Sequence, residues 1–465
     1  MTESQKTALK LVLIVLVGSL LGFSPTVHSV TQNAQAVESA FAAGQYLRGA
    51  DDLLLVADAN PWWTTLWEKA GEAYTLAGDY TMAVSAFQRA RDLNDLSDNG
   101  LVDLGSAHLK LGEEQAAEEV WLSLPGSRAA LGRLAALYED QGEIDRAVEV
   151  WHDYLASSEK GGQPDEIMYF GLLIAADTPP KALAYLDQSA ADYPEAGVVA
   201  TAIREALDEE PAYELVNAGQ ALASINYWRL AAHAFEKAVT LRPDYPEAWI
   251  YWGEALQHLE DPPADPLETL ERGLSLDEDS PLANLFIGIY WGRKGSHETA
   301  LEYFGSVETA WPDRADVLIE EGKSLAALGR LDEALGKYQA AVELYPEQPG
   351  YYRMLAEFTI SYSYSLRELG LPAARLAVQL DDQDPANRDV LGQVLLALED
   401  DLNAIKLFQQ ALELDPGYAP AFYHLGIIYS ASGSRDQAVY YLQQAVAYSK
   451  NPYLTEQAQR LLSTY

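Results

Sequence analysis

The chain carries 7 His and no Cys, so any acid–base or metal chemistry would rest on imidazole and carboxylate. The histidines are scattered. None stands four residues from another or in a His-Glu-x-x-His frame, the spacings that place two imidazoles on one ion. His108 falls where the periodicity described below expects a large core residue. His152 and Asp153 are adjacent, so they point to different parts of a helix surface and do not form a relay for a nucleophile. Gly322-Lys323-Ser324 echoes the end of a phosphate-binding loop, but Val317 stands where the upstream Gly is required, and the stretch reads as helix. Asp95 to Asp103 has the spacing of the first nine positions of a calcium loop. Its twelfth position is Ser106, which cannot supply the bidentate carboxylate, and the stretch lies at a junction where Ser97 or Asp98 would cap the next helix. With 70 Asp and Glu, pairs suited to glycoside hydrolysis are too abundant for any one to be singled out. Without Cys there are no disulfides, thiolate nucleophiles, Cys-ligated zinc or iron–sulfur clusters. The expectation is a non-enzyme with no catalytic residue, no cofactor and no metal.

The acids also decide which partners fit. Lys and Arg total 31 against those 70, a net charge of −39, which repels phosphate backbones and anionic headgroups and excludes nucleic acid as a partner. At 49% hydrophobic, with 28 Tyr and 10 Trp, the chain nevertheless has the material for a packed core. Residues 1–29 stand apart: Lys6 and Lys10 precede the uncharged apolar run Leu11–Phe23. This pattern reads as an export signal, either a cleaved signal peptide or a retained signal-anchor transmembrane segment, with the remaining chain carried across the membrane.

What positions everything else is a period of about 34 residues. Trp67, Ala70, Gly71, Tyr74, Gly78, Ala83, Phe87 and Ala90 form one template. Its offsets return at Ala218, Gly219, Ala231, Phe235 and Pro243, at Gly288, Gly295, Ala300, Phe304 and Pro312, at Gly322, Gly329, Ala334, Tyr338 and Pro346, and at Gly392, Ala404, Phe408 and Pro416. The small residue in the first half (Gly71, Gly105, Gly219, Gly253, Gly288, Gly322, Gly392, Gly426) and the Ala in the second (Ala83, Ala147, Ala231, Ala300, Ala334, Ala404, Ala438) let two helices approach closely. The mid-repeat Gly (Gly44, Gly78, Gly112, Gly142, Gly295, Gly329, Gly433) suits the left-handed residue that ends the first helix. The acid or Ser after it is expected to cap the second helix. Pro61, Pro194, Pro243, Pro312, Pro346 and Pro416 are expected to end second helices. Thr178-Pro179 and Asp265-Pro266 read as an N-cap followed by a first-turn proline.

This pattern of Trp, Gly, Tyr, Ala, Phe, Ala and Pro resembles the tetratricopeptide repeat family. The resemblance implies an all-α, right-handed superhelical α-solenoid of antiparallel helix pairs, about twelve units in all. About five units span 30–196, an extra helix and break span 197–211, about seven units span 212–452, and a terminal capping helix spans 453–465. Unit 162–196 lacks both Gly positions, and unit 349–384 has an altered first helix.

In this family the first helices line a groove that receives a peptide or protein surface. Carried onto this sequence, the groove positions are Glu68, Glu72, Thr75, Glu139, Asp140, Glu247, Ile250, Glu254, His258, Leu285, Ile289, Arg293, Tyr423 and Ile427. The groove is then acidic around Glu68, Glu139 and Glu247 and apolar around Leu285 and Ile289. A protein or peptide with a basic and apolar surface complements it. The aromatic stretch Tyr351–Tyr364 reads either as a contact patch or as the packing of a unit with a longer first helix. The function implied is a scaffold for protein–protein assembly on the outer side of the cytoplasmic membrane, anchored there or released. Its rivals are a recruiting subunit for a separate envelope enzyme, such as a glycosyltransferase, and a carbohydrate- or polymer-binding solenoid.

Overall fold

The computed structural model describes residues 36–37, 39–60, 63–158 and 161–465, all in helices and their connections with no strand among them. The export segment 1–29 and Pro61 lie outside the described residues. The chain divides into two compact units that meet between Pro243 and Asp244.

In the first unit, helical residues 36, 37 and 39–42 precede α1 (Tyr46–Ala59). The pairs α2 (Thr65–Ala77) and α3 (Tyr80–Asp92), α4 (Asp98–Lys110) and α5 (Glu114–Leu122), and α6 (Arg128–Asp140) and α7 (Ile144–Ala156) follow. Then come α8 (Pro164–Asp177), α9 (Pro179–Ser189), α10 (Pro194–Glu205), α11 (Pro211–Ser224) and α12 (Trp228–Leu241). The second unit holds α13 (Pro246–Leu256), α14 (Pro266–Leu276), α15 (Pro281–Arg293), α16 (His297–Ala310), α17 (Ala315–Ala327) and α18 (Leu331–Leu344). It continues with α19 (Pro349–Ser361), a π-helical turn at Leu366–Gly370, α20 (Leu371–Leu380), α21 (Pro385–Ala397), α22 (Asp401–Leu414), α23 (Ala419–Ala431), α24 (Arg435–Tyr448) and α25 (Pro452–Leu462). Consecutive helices pack in pairs, and within each unit first helices of neighbouring pairs touch, as α2 touches α4 and α13 touches α15. The architecture is thus the expected α-solenoid of antiparallel helix pairs.

The turn inside each pair follows the periodicity closely. All seven mid-repeat glycines have φ between 72° and 79°, the left-handed conformation that closes a helix end. Asn226, Ser363 and Glu399 occupy the same turn in units lacking the glycine, at φ 65°, 49° and 64°. The residue after it caps the second helix through its side chain at Asp79 and Asp400. At Glu113, Glu143, Ser296 and Ser434 it makes no such bond. Of the two proline caps, Asp265 accepts from the Glu268 N–H at 2.9 Å, whereas the Thr178 hydroxyl donates to Asp177 instead. Pro194 begins α10 rather than ending α9, since a first-turn proline leaves no helical N–H unmet.

Close approach within the pairs has one recurring cause. A Cβ on Gly71 would lie 2.6 Å from the Phe87 ring, one on Gly105 2.3 Å from Trp121, and one on Gly288 2.5 Å from Phe304. Gly219, Gly253, Gly322, Gly392 and Gly426 meet Phe235, Leu270, Tyr338, Phe408 and Leu442 in the same way. Gly171 does so against Leu186 at 2.9 Å, so unit 162–196 has a packing glycine after all, which corrects the expectation that it lacks one. The seven second-half alanines are fully buried beside these contacts.

Two irregularities shape the units. In α8 the seven residues from Phe170 to Ala176 are all buried, the signature of a helix covered on every side. α7, α9, α10, α11 and α12 all pack against it. In the second unit, α19 has 13 residues, an ordinary length for a first helix here. The altered segment is the π-helical turn after it. The Tyr351–Tyr364 stretch is mostly packing: Tyr338 stacks on Phe358 with ring centroids 4.8 Å apart, and Tyr345 and Tyr351 are 5.7 Å apart.

Candidate functional site

The candidate surface is the row of first helices, and its residues divide by what holds them. In the first unit, Glu68 accepts from both the N–H and the Oγ–H of Ser97, at 2.9 and 2.6 Å. Ser97 Oγ in turn accepts from the Gly100 N–H at 3.0 Å, so Glu68 ties α2 to the start of α4. Residues Asp98 to Asp103 are therefore helical and not a calcium-loop conformation. Glu72 pairs with Lys69. Its carboxyl is pushed above the usual range by burial, as is that of Asp103 on α4. Thr75 donates to the Gly71 carbonyl at 2.9 Å.

Glu139 and Asp140, at the end of α6, are engaged from within. The Trp151 Nε1–H and Tyr169 O–H donate to the Glu139 carboxylate at 2.6 and 2.7 Å. Arg229, just inside α12, donates to the main-chain carbonyls of Glu139 and Asp140 at 2.7 and 2.8 Å. A guanidinium at a helix C-terminus satisfies carbonyls that lack a partner in the helix. The cavity here, about 330 Å³, is lined by Ile144, Tyr169, Tyr227, Trp228 and Arg229 among others. At this point the face is occupied by the chain's own α11–α12 turn.

In the second unit Glu254, His258 and Arg293 meet. Glu254 is 9% exposed; its Oε1 lies 3.0 Å from His258 Nε2 and 3.3 Å from Arg293 Nη2. Gln257 donates to Glu254 Oε2 at 2.7 Å and accepts from Arg293 Nη1 at 3.0 Å. The result is an ordered polar strip across α13 and α15. Glu247 is exposed, while Ile289, Tyr423 and Ile427 are half-buried.

Ile250 and Leu285 are corrections: both are buried and belong to the core. Gly273 on α14 opens a space that Ile250 fills, with Ile250 Cγ1 2.5 Å from where a Cβ on Gly273 would stand. Leu285 sits in a core cluster with Ala300, Phe304, Val307 and Val317.

Sequence reasoning missed a second strip. Arg353 on α19 donates to Asp384 at 2.7 Å and to Asn387 at 3.2 Å. Buried Asp389 on α21 lies 2.9 Å from His424 Nδ1 and accepts from Gln393 at 2.8 Å. His424 stacks on Phe408 at 5.1 Å. Arg353 and Asp389 stand four residues after the starts of their units at 349 and 385, as Glu68 does in the unit that starts at 64, so the same rule applied there would have found both.

The other residues singled out from the sequence are held by packing or by local surface pairs. His108 is 7% exposed, with Nδ1 2.6 Å from Glu113 Oε2. His152 and Asp153 are an exposed pair 3.5 Å apart. In Gly322-Lys323-Ser324 the glycine faces Tyr338, Lys323 bonds Glu320 at 2.6 Å, and Ser324 is buried inside α17. No helix among the described residues is long and apolar enough to cross a membrane.

Comparison with known proteins agrees with this geometry. A tetratricopeptide repeat model matches residues 216–281 and 288–349, and a second matches 395–463. The TPR repeat-containing protein YpiA of Bacillus subtilis (strain 168) is 21% identical over 245 residues, covering 45% of this chain and 57% of that protein. This chain thus spans a little over half the length of that relative. Among solved structures, yeast Tom70 is similar over 94% of this chain and 96% of its own, at 14% identity and a TM-score of 0.45. YrrB, described as a TPR protein with an unusual peptide-binding site, is similar over 42% and 99%, at 21% identity and a TM-score of 0.29. With its paired helices, left-handed mid-pair turns and glycine-on-ring contacts, this chain is a tetratricopeptide repeat protein.

Proposed function

We propose that this chain is a non-enzymatic scaffold that assembles proteins on the outer side of the cytoplasmic membrane, held there by its N-terminal segment or released after cleavage. The carrying observation is that neighbouring first helices share ordered polar strips: Glu254, Gln257, His258 and Arg293 on α13 and α15, and Asp389 and His424 on α21 and α23. Side chains already held in one geometry lose little entropy when a partner docks. The partner is a protein or peptide with basic and apolar surface, because exposed Glu247 and half-buried Tyr423 and Ile427 offer carboxylate and apolar contacts. The export reading rests on Lys6, Lys10 and the apolar run that follows.

Affinity capture of the full chain from its native membrane tests the scaffold, with a Glu247→Lys, Tyr423→Ala variant as comparison. One reproducible protein is expected with the parent chain and not with the variant; equal recovery with both would remove the first-helix face from the proposal. A compartment-sensitive reporter fused after Tyr465 should report the outside, and a cytoplasmic signal would end the export reading.

A further inference from the structure

Where α12 packs on α8, three helices bring unlike side chains to one point. Asp145 in the first turn of α7, Asp177 at the end of α8 and His233 on α12 have donor atoms all within 4.8 Å of one another. His233 Nε2 is buried and has no hydrogen-bond partner; its nearest carboxylate oxygen, Asp145 Oδ1, is 3.7 Å away. Lys237, one turn further along α12, pairs with Asp145 at 3.4 Å and with Asp177. A buried ring nitrogen left unsatisfied is costly and marks the place of a water or an ion.

We propose that Asp145, Asp177 and His233 form a binding site for a divalent transition metal of the zinc class, with the Lys237 ammonium as its competing cation. One imidazole and two carboxylates are a donor set that zinc accepts, whereas calcium and magnesium prefer oxygen alone. Ligands at about 2.0–2.1 Å from a tetrahedral ion stand roughly 3.3–3.4 Å apart, so the three side chains need move by only about 1 Å to converge. Asp177 Oδ2 accepts from the Thr178 hydroxyl at 2.7 Å, an orienting bond of the kind that fixes metal ligands and leaves the other oxygen for the ion. Asp145 is exposed and gives the ion a way in, and Lys237, on a flexible stem a third exposed, can swing to water. A divalent ion brings twice the charge of the ammonium it displaces and would bind α7, α8 and α12 together.

Titration of zinc chloride into the untagged, metal-stripped full chain by calorimetry at pH 7.5 tests this. One saturable equivalent is expected in the parent chain. Binding should weaken at least tenfold in both His233→Ala and Asp145→Asn, and tighten at least threefold in Lys237→Met. Asp145 lies outside the core, so its substitution leaves the fold intact, and circular dichroism checks that His233→Ala remains helical. The proposal is overturned if neither the parent chain nor Lys237→Met binds saturably, or if His233→Ala and Asp145→Asn both bind as the parent does. Binding by Lys237→Met alone also overturns it, because the ammonium then owns the site.

Discussion

Phe87 lies against Gly71, with its Cδ1 2.6 Å from where a Cβ on that glycine would stand. The ring is fully buried, so it has no space to retreat. Gly71→Ala should therefore destabilise the α2–α3 pair by about 1–3 kcal/mol through overpacking, although alanine is the better helix former. Gly336 in α18 is the contrast: nothing lies within 4 Å of the point where its Cβ would stand, so Gly336→Ala should stabilise by about 1 kcal/mol. Urea unfolding, with hydrogen exchange to localise the change in an array that need not melt as one, measures both. Stabilisation by both substitutions would mean that helix propensity, not the ring, governs these positions.

Glu399 makes the turn between α21 and α22 at φ 64°, a conformation that seven other pairs assign to glycine. An L-residue is strained by its Cβ there and glycine is not. Glu399→Gly is expected to stabilise the second unit by about 0.5–1 kcal/mol, and Gly433→Ala, at φ 75°, to destabilise it by a similar amount. Thermal melts read both.

These local rules were legible because each is restated at nearly every period: a glycine that turns the chain, and another that admits a ring 16 residues later. Gly171 escaped because its partner Leu186 comes 15 residues on and Thr178-Pro179 replaces the usual turn. Ile250 and Leu285 share the offsets of groove residues, yet they face inward because their own units leave space there, as Gly273 does for Ile250. The packing of α12 on α8 was not legible at all. Arg229 meets Glu139 across 90 residues and Lys237 meets Asp177 across 60, whereas periodicity reports only what a pair does with its immediate neighbours.

Arg229 joins the α11–α12 turn to the end of α6 through two carbonyls. The guanidinium is half exposed, so the bonds are worth about 1 kcal/mol together rather than the value of buried charged ones. Arg229→Ala should cost about that much and speed hydrogen exchange at residues 139–147 while leaving α2–α5 unchanged. Uniform exchange before and after substitution would show that the α8 core alone holds this arrangement.

Glu72 and Asp103 face one another's helices with carboxyls raised first by burial, against the lowering effect of Lys69 on Glu72 and of Arg133 on Asp103. A carboxyl whose folded pKa lies above its unfolded value binds its proton more tightly in the folded state. That contribution is fully present below about pH 4, near the unfolded pKa values, and is lost as pH rises through the folded ones. The charged form of both groups stands in surroundings that disfavour it. The double variant Glu72→Gln, Asp103→Asn should accordingly melt higher than the parent chain at pH 7, with the difference shrinking as pH falls and vanishing near pH 4. Melting curves across pH 4–8 measure this. A variant that is less stable at pH 7 would show that the attraction of Lys69 and Arg133 outweighs the burial of the two carboxylates.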